Sequence, residues 1–382
     1  MPTTEARTHF VDQTCLIAAS ARWMAQSLTV GSPYLTAIDL FADTDLRRTA
    51  TAHQVSSYQL LQQHFEFSNC QIFIGGGLES HVDSFQFLHG NNQILNWGPG
   101  SIRAVRDFFS FQMDAAQFGF LAPRSFQMAQ DATSQNVATL LIKDMNGTGG
   151  SHVRVMDWET STVKHGRRYI FQEYISGTTY GAAFLSDRNR TQLLGVTQQL
   201  LGDGNGSEFC YAGSVGPITL PQDQLQQLLR FGEWIRVHYN AVGLWGVDFI
   251  VADSGCLWFV DVNPRPTASM EILEKGIGIA LMPLHAEAFH SNVPSVAIPD
   301  STNAFCKRIV YWSGEPLMIS HEHSKRLLHW LEAGRIADVP ETGTVVERDQ
   351  PFVTLFAEAE SPESAIQLTE RLSQELIREI RA

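Results

Sequence analysis

The stretch Gly246–Glu271, GVDFIVADSGCLWFVDVNPRPTASME, decides how the rest of the chain is read. Two apolar runs, Val247–Ala252 and Cys256–Val262, flank Asp253-Ser254-Gly255, which suits a tight hairpin turn. Asp248 stands near the start of the first run and Asp261 near the end of the second. Antiparallel pairing about that turn brings the two carboxylates together on neighbouring strands. Asn263 lies two residues beyond Asp261, so strand alternation turns both side chains to one face. Two carboxylates and an amide oxygen form the hard-oxygen set that Mg²⁺ prefers, completed by waters and substrate phosphates. Arg265 then stands where an anionic oxygen can be held. A plain hairpin with two solvated acids explains the same stretch, so other parts of the chain must discriminate.

With 382 residues the chain is long enough for two or three domains. Hydrophobic residues make up 44% and charged residues 18%, the balance of a globular protein rather than a disordered one. A net charge of −13 argues against broad binding to nucleic-acid backbone, which needs a basic face. The 5 cysteines (Cys15, Cys70, Cys210, Cys256, Cys306) are scattered and form no CxxC pair. That usage points to reduced thiols in a cytoplasm, not to a disulfide framework or a zinc site. No signal peptide and no membrane-spanning run is expected.

Thr14–Ala19, Tyr34–Phe41 and Gln71–Ile74 read as strands, with a helix-compatible segment running from Ser20 to Leu28. Together they predict a small parallel α/β domain. No GxGxxG follows the first strand, which disfavours NAD. Gly75-Gly76-Gly77 lets backbone approach a ligand closely, and Glu79 and Ser80 follow as candidate substrate contacts, Glu79 for an amine. Ser101–Gly119 is expected as one helix with Arg103, Arg106 and Asp107 near its start. Thr139–Ile142 delivers Lys143 into a turn, Asp144–His152, rich in Gly, Ser and Thr, whose amides can cradle phosphates. Without a following GK[ST] it is not a Walker A loop.

Arg168–Ile175, Thr178–Phe184, Leu193–Leu201 and Ser214–Thr219 are further strands. Gln222–Tyr239 is an amphipathic helix entered through Pro221, and Ser269–Ala288 is a second helical stretch. Beyond Pro294, Cys306–Trp312 and Phe352–Ala357 read as strands, Ser324–Ala333 and Ser361–Arg381 as helices. Ile336–Glu341 and the His321–His323 triplet read as loops, the histidines lacking enough further ligands for a metal.

These pieces in this order resemble the ATP-grasp superfamily, on the side of carbamoyl-phosphate synthase and biotin carboxylase. The resemblance is carried by IKDMNGTGGSHV, FQEYISG, GVDFI…FVDVNPRPTASME and the tail IADVPETGTVV…PFVTLFAEAESPESA. It implies an α/β fold with an α+β lid: an ATP-grasp fold preceded by a small Rossmann-like parallel α/β domain. The expected division is 1–100 for that first domain, 101–295 for the ATP-grasp domain with its lid at about 124–185, and 296–382 for a biotin carboxylase-like tail. The resemblance assigns Lys143 to the nucleotide phosphates and Gly147, Gly149, Gly150 and Ser151 to the loop that closes over them. Gln172, Glu173 and Ile175 fall on the hinge that reads adenine, Thr179 where relatives place a ribose-binding Glu, and Ile250 against the base. Asp248, Asp261 and Asn263 match metal ligands for Mg²⁺ or Mn²⁺, Arg265 the contact to the transferred phosphate, and Arg106 an additional phosphate contact. Arg265, Lys143 and Asn263 are the expected catalytic set. Asp261 replaces the more usual Glu, and Asp144 stands where Pro is common.

The implied activity is ATP-dependent ligation of a carboxylate to an amine through an acyl phosphate, on small-molecule substrates, in a cytoplasmic enzyme, with a homodimer as the expected assembly. A bicarbonate-dependent enzyme forming carboxyphosphate is the alternative, and a nucleotide-binding module without turnover a third.

Overall fold

The computed structural model describes residues 7–28, 35–58, 61–82, 87–145, 147–157, 169–202, 207–293, 295–299 and 303–382. Tyr34 and Arg168, which begin two expected strands, and Asn146 of the glycine turn lie outside these.

Three sheets position the site. The first is parallel and five-stranded, in the order Thr51–Gln54, Leu35–Asp39, Thr14–Ile17, Gln71–Ile74, Gln93–Leu95. The middle strands are apolar throughout because both faces are covered; Leu16, Ile17, Ala37, Ile38, Ile72 and Phe73 are fully buried. The second sheet is antiparallel, ordered Val153–Val155, Leu140–Asp144, Tyr169–Glu173, Ser125–Phe126. The third has eight strands. It runs Leu257–Asn263, Gly243–Val251, Thr178–Ser186, Thr191–Leu201, Tyr211–Gly216, Ala304–Tyr311, Pro351–Ala359, Ile336–Ala337. Its last three strands come from the segment expected to stand apart as a tail. Tyr211–Gly216 pairs with Ala304–Tyr311 from Gly213↔Arg308 to Gly216↔Phe305, so the tail continues the central sheet.

The helix Gln222–Tyr239 covers this sheet, burying Leu228, Phe231 and Ile235 at helical spacing. Phe231 stacks on Phe259 with ring centroids 3.6 Å apart, and Phe184 stacks on Trp245 at 4.4 Å. Asn240, in the left-handed conformation with φ 52°, ends the helix.

Two expected helices are each broken. Ser101–Gly119 divides into Pro99–Val105 and Phe108–Gln117, because Asp107 accepts the Phe109 and Ser110 N–H groups and starts a new helix. Ser269–Ala288 divides into Met270–Ile277 and Leu281–Ala288 at Gly278, whose φ is 74°. His321–His323 open a helix rather than a loop. Ser320 and His323 form a reciprocal cap there, which accounts for His323 without a metal. Ile336–Ala337 is a short edge strand rather than loop. No helix of the described residues is long and apolar enough to cross a membrane.

Candidate active site

A cavity of about 730 Å³ is lined by elements of all three sheets. One wall is the hairpin Gly243–Val251/Leu257–Asn263. Its register places Asp248 directly opposite Asp261 and Gly246 opposite Asn263. The register slips at Asp248/Phe249, so Phe249 pairs with Phe259 and Val260 is an extra residue. This bulge has a chemical consequence. Leu257 and Phe259 are fully buried on the core side. Strict alternation from them would put Asp261 in the same apolar layer. The inserted Val260 returns Asp261 and Asn263 to the cavity side and leaves Val262 in the core.

Asp248 accepts hydrogen bonds from Gln199 Nε2 at 2.7 Å and Asn263 Nδ2 at 3.1 Å. Burial and then the neighbouring Asp261 push its carboxyl up to about 6, against the lowering effect of Asn263, Arg265 and Gln199. Asp261 Oδ1 is buried and makes no hydrogen bond among the described residues. A buried carboxylate oxygen with no donor, facing a second carboxylate, fits a cation between them. Among the described residues no three His, Cys, Asp or Glu side chains converge on one point. The donor set here is two carboxylates and an amide, which fits Mg²⁺ completed by phosphate oxygens. Asn263 Oδ1, the expected amide ligand, accepts instead from Arg265 at 3.1 Å and must be released to ligate.

Opposite stands Lys143, at the end of Leu140–Asp144, paired with Ile170 on one side and Val153 on the other. It is buried, and among the described residues its ammonium makes no hydrogen bond; Phe108 lies 5.9 Å from it. Burial lowers its pKa, Asp261 and Asp248 pull it up, and Arg106 pushes it down again, leaving it below the ordinary lysine value. Arg106 reaches the cavity because it closes the helix Pro99–Val105. The glycine turn arches over Lys143. Gly150, at φ 78°, lies so close to the Phe209 carbonyl that a Cβ would sit 1.9 Å from its oxygen. Tyr211 N donates to Gly149 O at 2.9 Å, which ties the turn to the large sheet.

Arg265 follows the hairpin. It donates to Glu79 Oε1 at 2.8 Å, Asn263 Oδ1 at 3.1 Å and the Pro266 carbonyl at 3.2 Å, leaving part of its five-donor fork for an anion. Its guanidinium lies over Gly76, where a Cβ would stand 3.2 Å from Cζ. Burial acts to raise the Glu79 carboxyl, but Arg265 and Arg106 outweigh it and hold the group below its ordinary value. Glu79 is thus committed to Arg265 and the Gly77 N–H, rather than free for an amine.

At the other end lies the hinge. Glu173 grips Arg124 through both oxygens, at 2.8 and 2.9 Å, and Gln172 donates to Ser125 Oγ. Tyr174 N bonds to Thr139 O, while the Ile175 N–H makes no hydrogen bond among the described residues. Gln172, Glu173, Ile175, Thr179 and Ile250 all border the cavity. Of the anticipated site residues, only Ser80 and Ser151 stand off its wall. Ser151 is exposed in the turn, and Ser80 Oγ is buried without a hydrogen-bond partner among the described residues. Sequence reading missed Gln199, His152, Arg22, Asp43, Lys307 and Asp338, which all line the cavity. None stands out by type: Gln199, for one, is among five polar residues of the strand Thr191–Leu201, TQLLGVTQQLL.

The ATP-grasp domain family matches residues 113–269. The chain is 22% identical to an uncharacterized protein of Methanocaldococcus jannaschii, over 90% of this chain and 87% of that one. It is 27% identical to the carbamoyl phosphate synthase large chain of Helicobacter pylori, over 25% of this chain and only 9% of that much longer protein. Biotin carboxylase from Campylobacter jejuni superposes with a TM-score of 0.68 at 13% identity, over 93% of this chain and 89% of that one. L-amino acid ligase from Bacillus licheniformis does so with a TM-score of 0.66 at 13% identity, over 98% of each. Residues 113–269 are therefore similar to an ATP-grasp domain, within a fold shared with biotin carboxylase and L-amino acid ligase.

Proposed function

We propose that the protein is an ATP-dependent ligase that joins a carboxylate to an amine through an acyl phosphate. The observation that carries this reading is a pair of buried opposite charges on one cavity, unsatisfied among the described residues: the Lys143 ammonium, and the Asp248–Asp261 pair with its orphaned oxygen. Such a pair suits a polyphosphate between them, with its cation on the acidic side.

In this reading Lys143 and the amides of Gly147, Gly149 and Gly150 hold the phosphates, with Arg106 reaching them from its helix end. Asp248, Asp261 and Asn263 would hold Mg²⁺, which when bound neutralises charge on the phosphate oxygens. The hinge Gln172–Ile175 and Ile250 bracket the base, the Ile175 N–H being free to donate to it. A carboxylate oxygen of the substrate attacks the γ-phosphorus in line with the departing ADP oxygen. No base is needed, since a carboxylate is already ionised near neutral pH. The free donors of Arg265 stabilise the charge on the transferred group and then on the acyl phosphate. The amine attacks the acyl carbon, phosphate leaves, and the amine's proton is lost to water or phosphate. Closure of the glycine turn keeps water from the intermediate.

The test is hydroxylamine trapping with Mg·ATP over amino acids, small carboxylic acids and bicarbonate. A hydroxamate formed with one organic acid, together with ADP release, is expected. ADP release on bicarbonate alone, with no hydroxamate, would replace this reading by the carboxyphosphate one.

A further inference from the structure

Beyond Glu79 the cavity wall continues through Ser20, Arg22, Asp43 and Asp338, where the parallel domain meets the last strands of the large sheet. Nearly every charge here is matched. Arg22 donates to Asp338 at 2.8 Å, to both oxygens of Glu271 and to Gln26. Lys307 donates to Glu271 at 2.6 Å. Asp45 accepts the Asp338 and Val339 N–H groups, each at 2.9 Å. Asp39 accepts those of Ala21, Phe41 and Ala42.

Asp43 is different. It is only 9% exposed and borders the cavity, yet among the described residues its carboxylate makes no hydrogen bond or ion pair. Burial, then Asp338, Asp39 and Asp45 as like charges, push its carboxyl well above the ordinary value against the opposing Arg22. The carboxylates Asp39, Asp43, Asp45, Glu271 and Asp338 stand against the cations Arg22 and Lys307, an excess of three negative charges when all are ionised. A buried carboxylate without a partner is costly unless a proton or a ligand cation neutralises it.

We propose that Asp43 binds a non-reacting cationic group, an ammonium or guanidinium, on the amine-bearing substrate. This rests on the ligase reading above. The cation held here is not the attacking nitrogen. Surrounding carboxylates stabilise a protonated amine, whereas the nucleophile must be neutral. The same excess charge repels a phosphorylated substrate, so the co-substrate is a diamine or a basic amino compound.

The test is calorimetric titration of the Mg·ADP-loaded protein with 1,4-diaminobutane, n-butylamine and phosphoethanolamine. Diaminobutane is expected to bind at least about tenfold more tightly than n-butylamine, with phosphoethanolamine weakest. Asp43→Asn should cut diaminobutane affinity about tenfold and leave n-butylamine and Mg·ADP binding unchanged, while Asp43→Glu keeps the preference. Absent diaminobutane binding, equal binding of n-butylamine, tighter phosphoethanolamine, or an unaffected Asp43→Asn protein would each overturn the proposal. The wild-type ligand series decides the matter even if the variant fails to fold. Failure of the ligase reading shows elsewhere, as missing hydroxamate formation, because the charge preference is read without turnover.

Discussion

Two regions of this molecule bury charge, and they do so in opposite ways. At the junction around Arg22, each cation has carboxylates within hydrogen-bond distance. Asp338 alone contacts Arg22, Ser20 and Thr354. Burial acts to raise Glu271 and Asp338, yet the nearby Arg22 and Lys307 hold both below the ordinary carboxylate value. At the hairpin and the strand facing it, Asp261 Oδ1 and Lys143 are buried with no hydrogen bond among the described residues, and burial with a like charge raises Asp248. Satisfied buried charge holds domains together. Unsatisfied buried charge awaits something that diffuses in.

Substitutions can break this contrast. Asp261→Ala should lower ATP turnover by about 10³-fold or more, because charge stabilisation of the transferred phosphate is lost. The same change should leave the urea midpoint unchanged or raised, since it removes an uncompensated charge. Full turnover in this variant would move the metal site elsewhere. Arg22→Leu should destabilise the fold by about 3–5 kcal/mol in urea titration, because Asp338 and Glu271 lose their principal cation. A midpoint within error of wild type would show that the junction holds nothing together.

His285 sharpens the comparison as a buried group kept neutral. Its Nδ1 accepts the Leu244 N–H at 2.8 Å, its Nε2 meets Leu95 O at 3.0 Å, and burial lowers its pKa to about 4. The unfolded chain takes up this proton near pH 6.5, the folded one only near 4. The stabilisation is therefore complete above about 6.5 and lost as pH falls towards 4, on the order of 3 kcal/mol in all. Urea titrations at pH 7 and 5 should show this slope, and a His285→Gln protein should lack that component. The smallest effect belongs to the exposed pair Arg308–Glu370, at 3.1 Å. Glu370→Gln should shift stability by less than about 1 kcal/mol, far below the effect at Arg22.

How much of this could be read in advance follows from sequence separation. The hairpin was legible because a short turn between two apolar runs brings Asp248 opposite Asp261. The glycine turn after Lys143 announced itself by composition. Asp107 marked a helix start whose cap signature was present but unread, and the break it makes is what turns Arg106 into the cavity. The bulge at Val260 left no sign, since Trp258-Phe259-Val260-Asp261 reads equally well as unbroken strand. The Arg22 junction was invisible for another reason. Its partners are 316 residues away at Asp338 and 249 at Glu271, and Arg22 itself sits in an ordinary short helix. Asp43 reads from the sequence as one more acid in a turn, and only the fold shows that no described residue hydrogen-bonds to its carboxylate.

The continuity of the eight-stranded sheet bears on how the chain matures during synthesis. Its strands all begin at or after Thr178, and the Asp338–Val339 turn that docks on Asp45 is translated 293 residues after it. Until Lys307 leaves the ribosome, Glu271 lacks one of its two cations, and until Asp338 follows, Arg22 lacks a carboxylate and the cavity part of its wall. The cavity is therefore completed late, when the segment around Asp338 docks on Asp45 and joins the first domain to the large sheet.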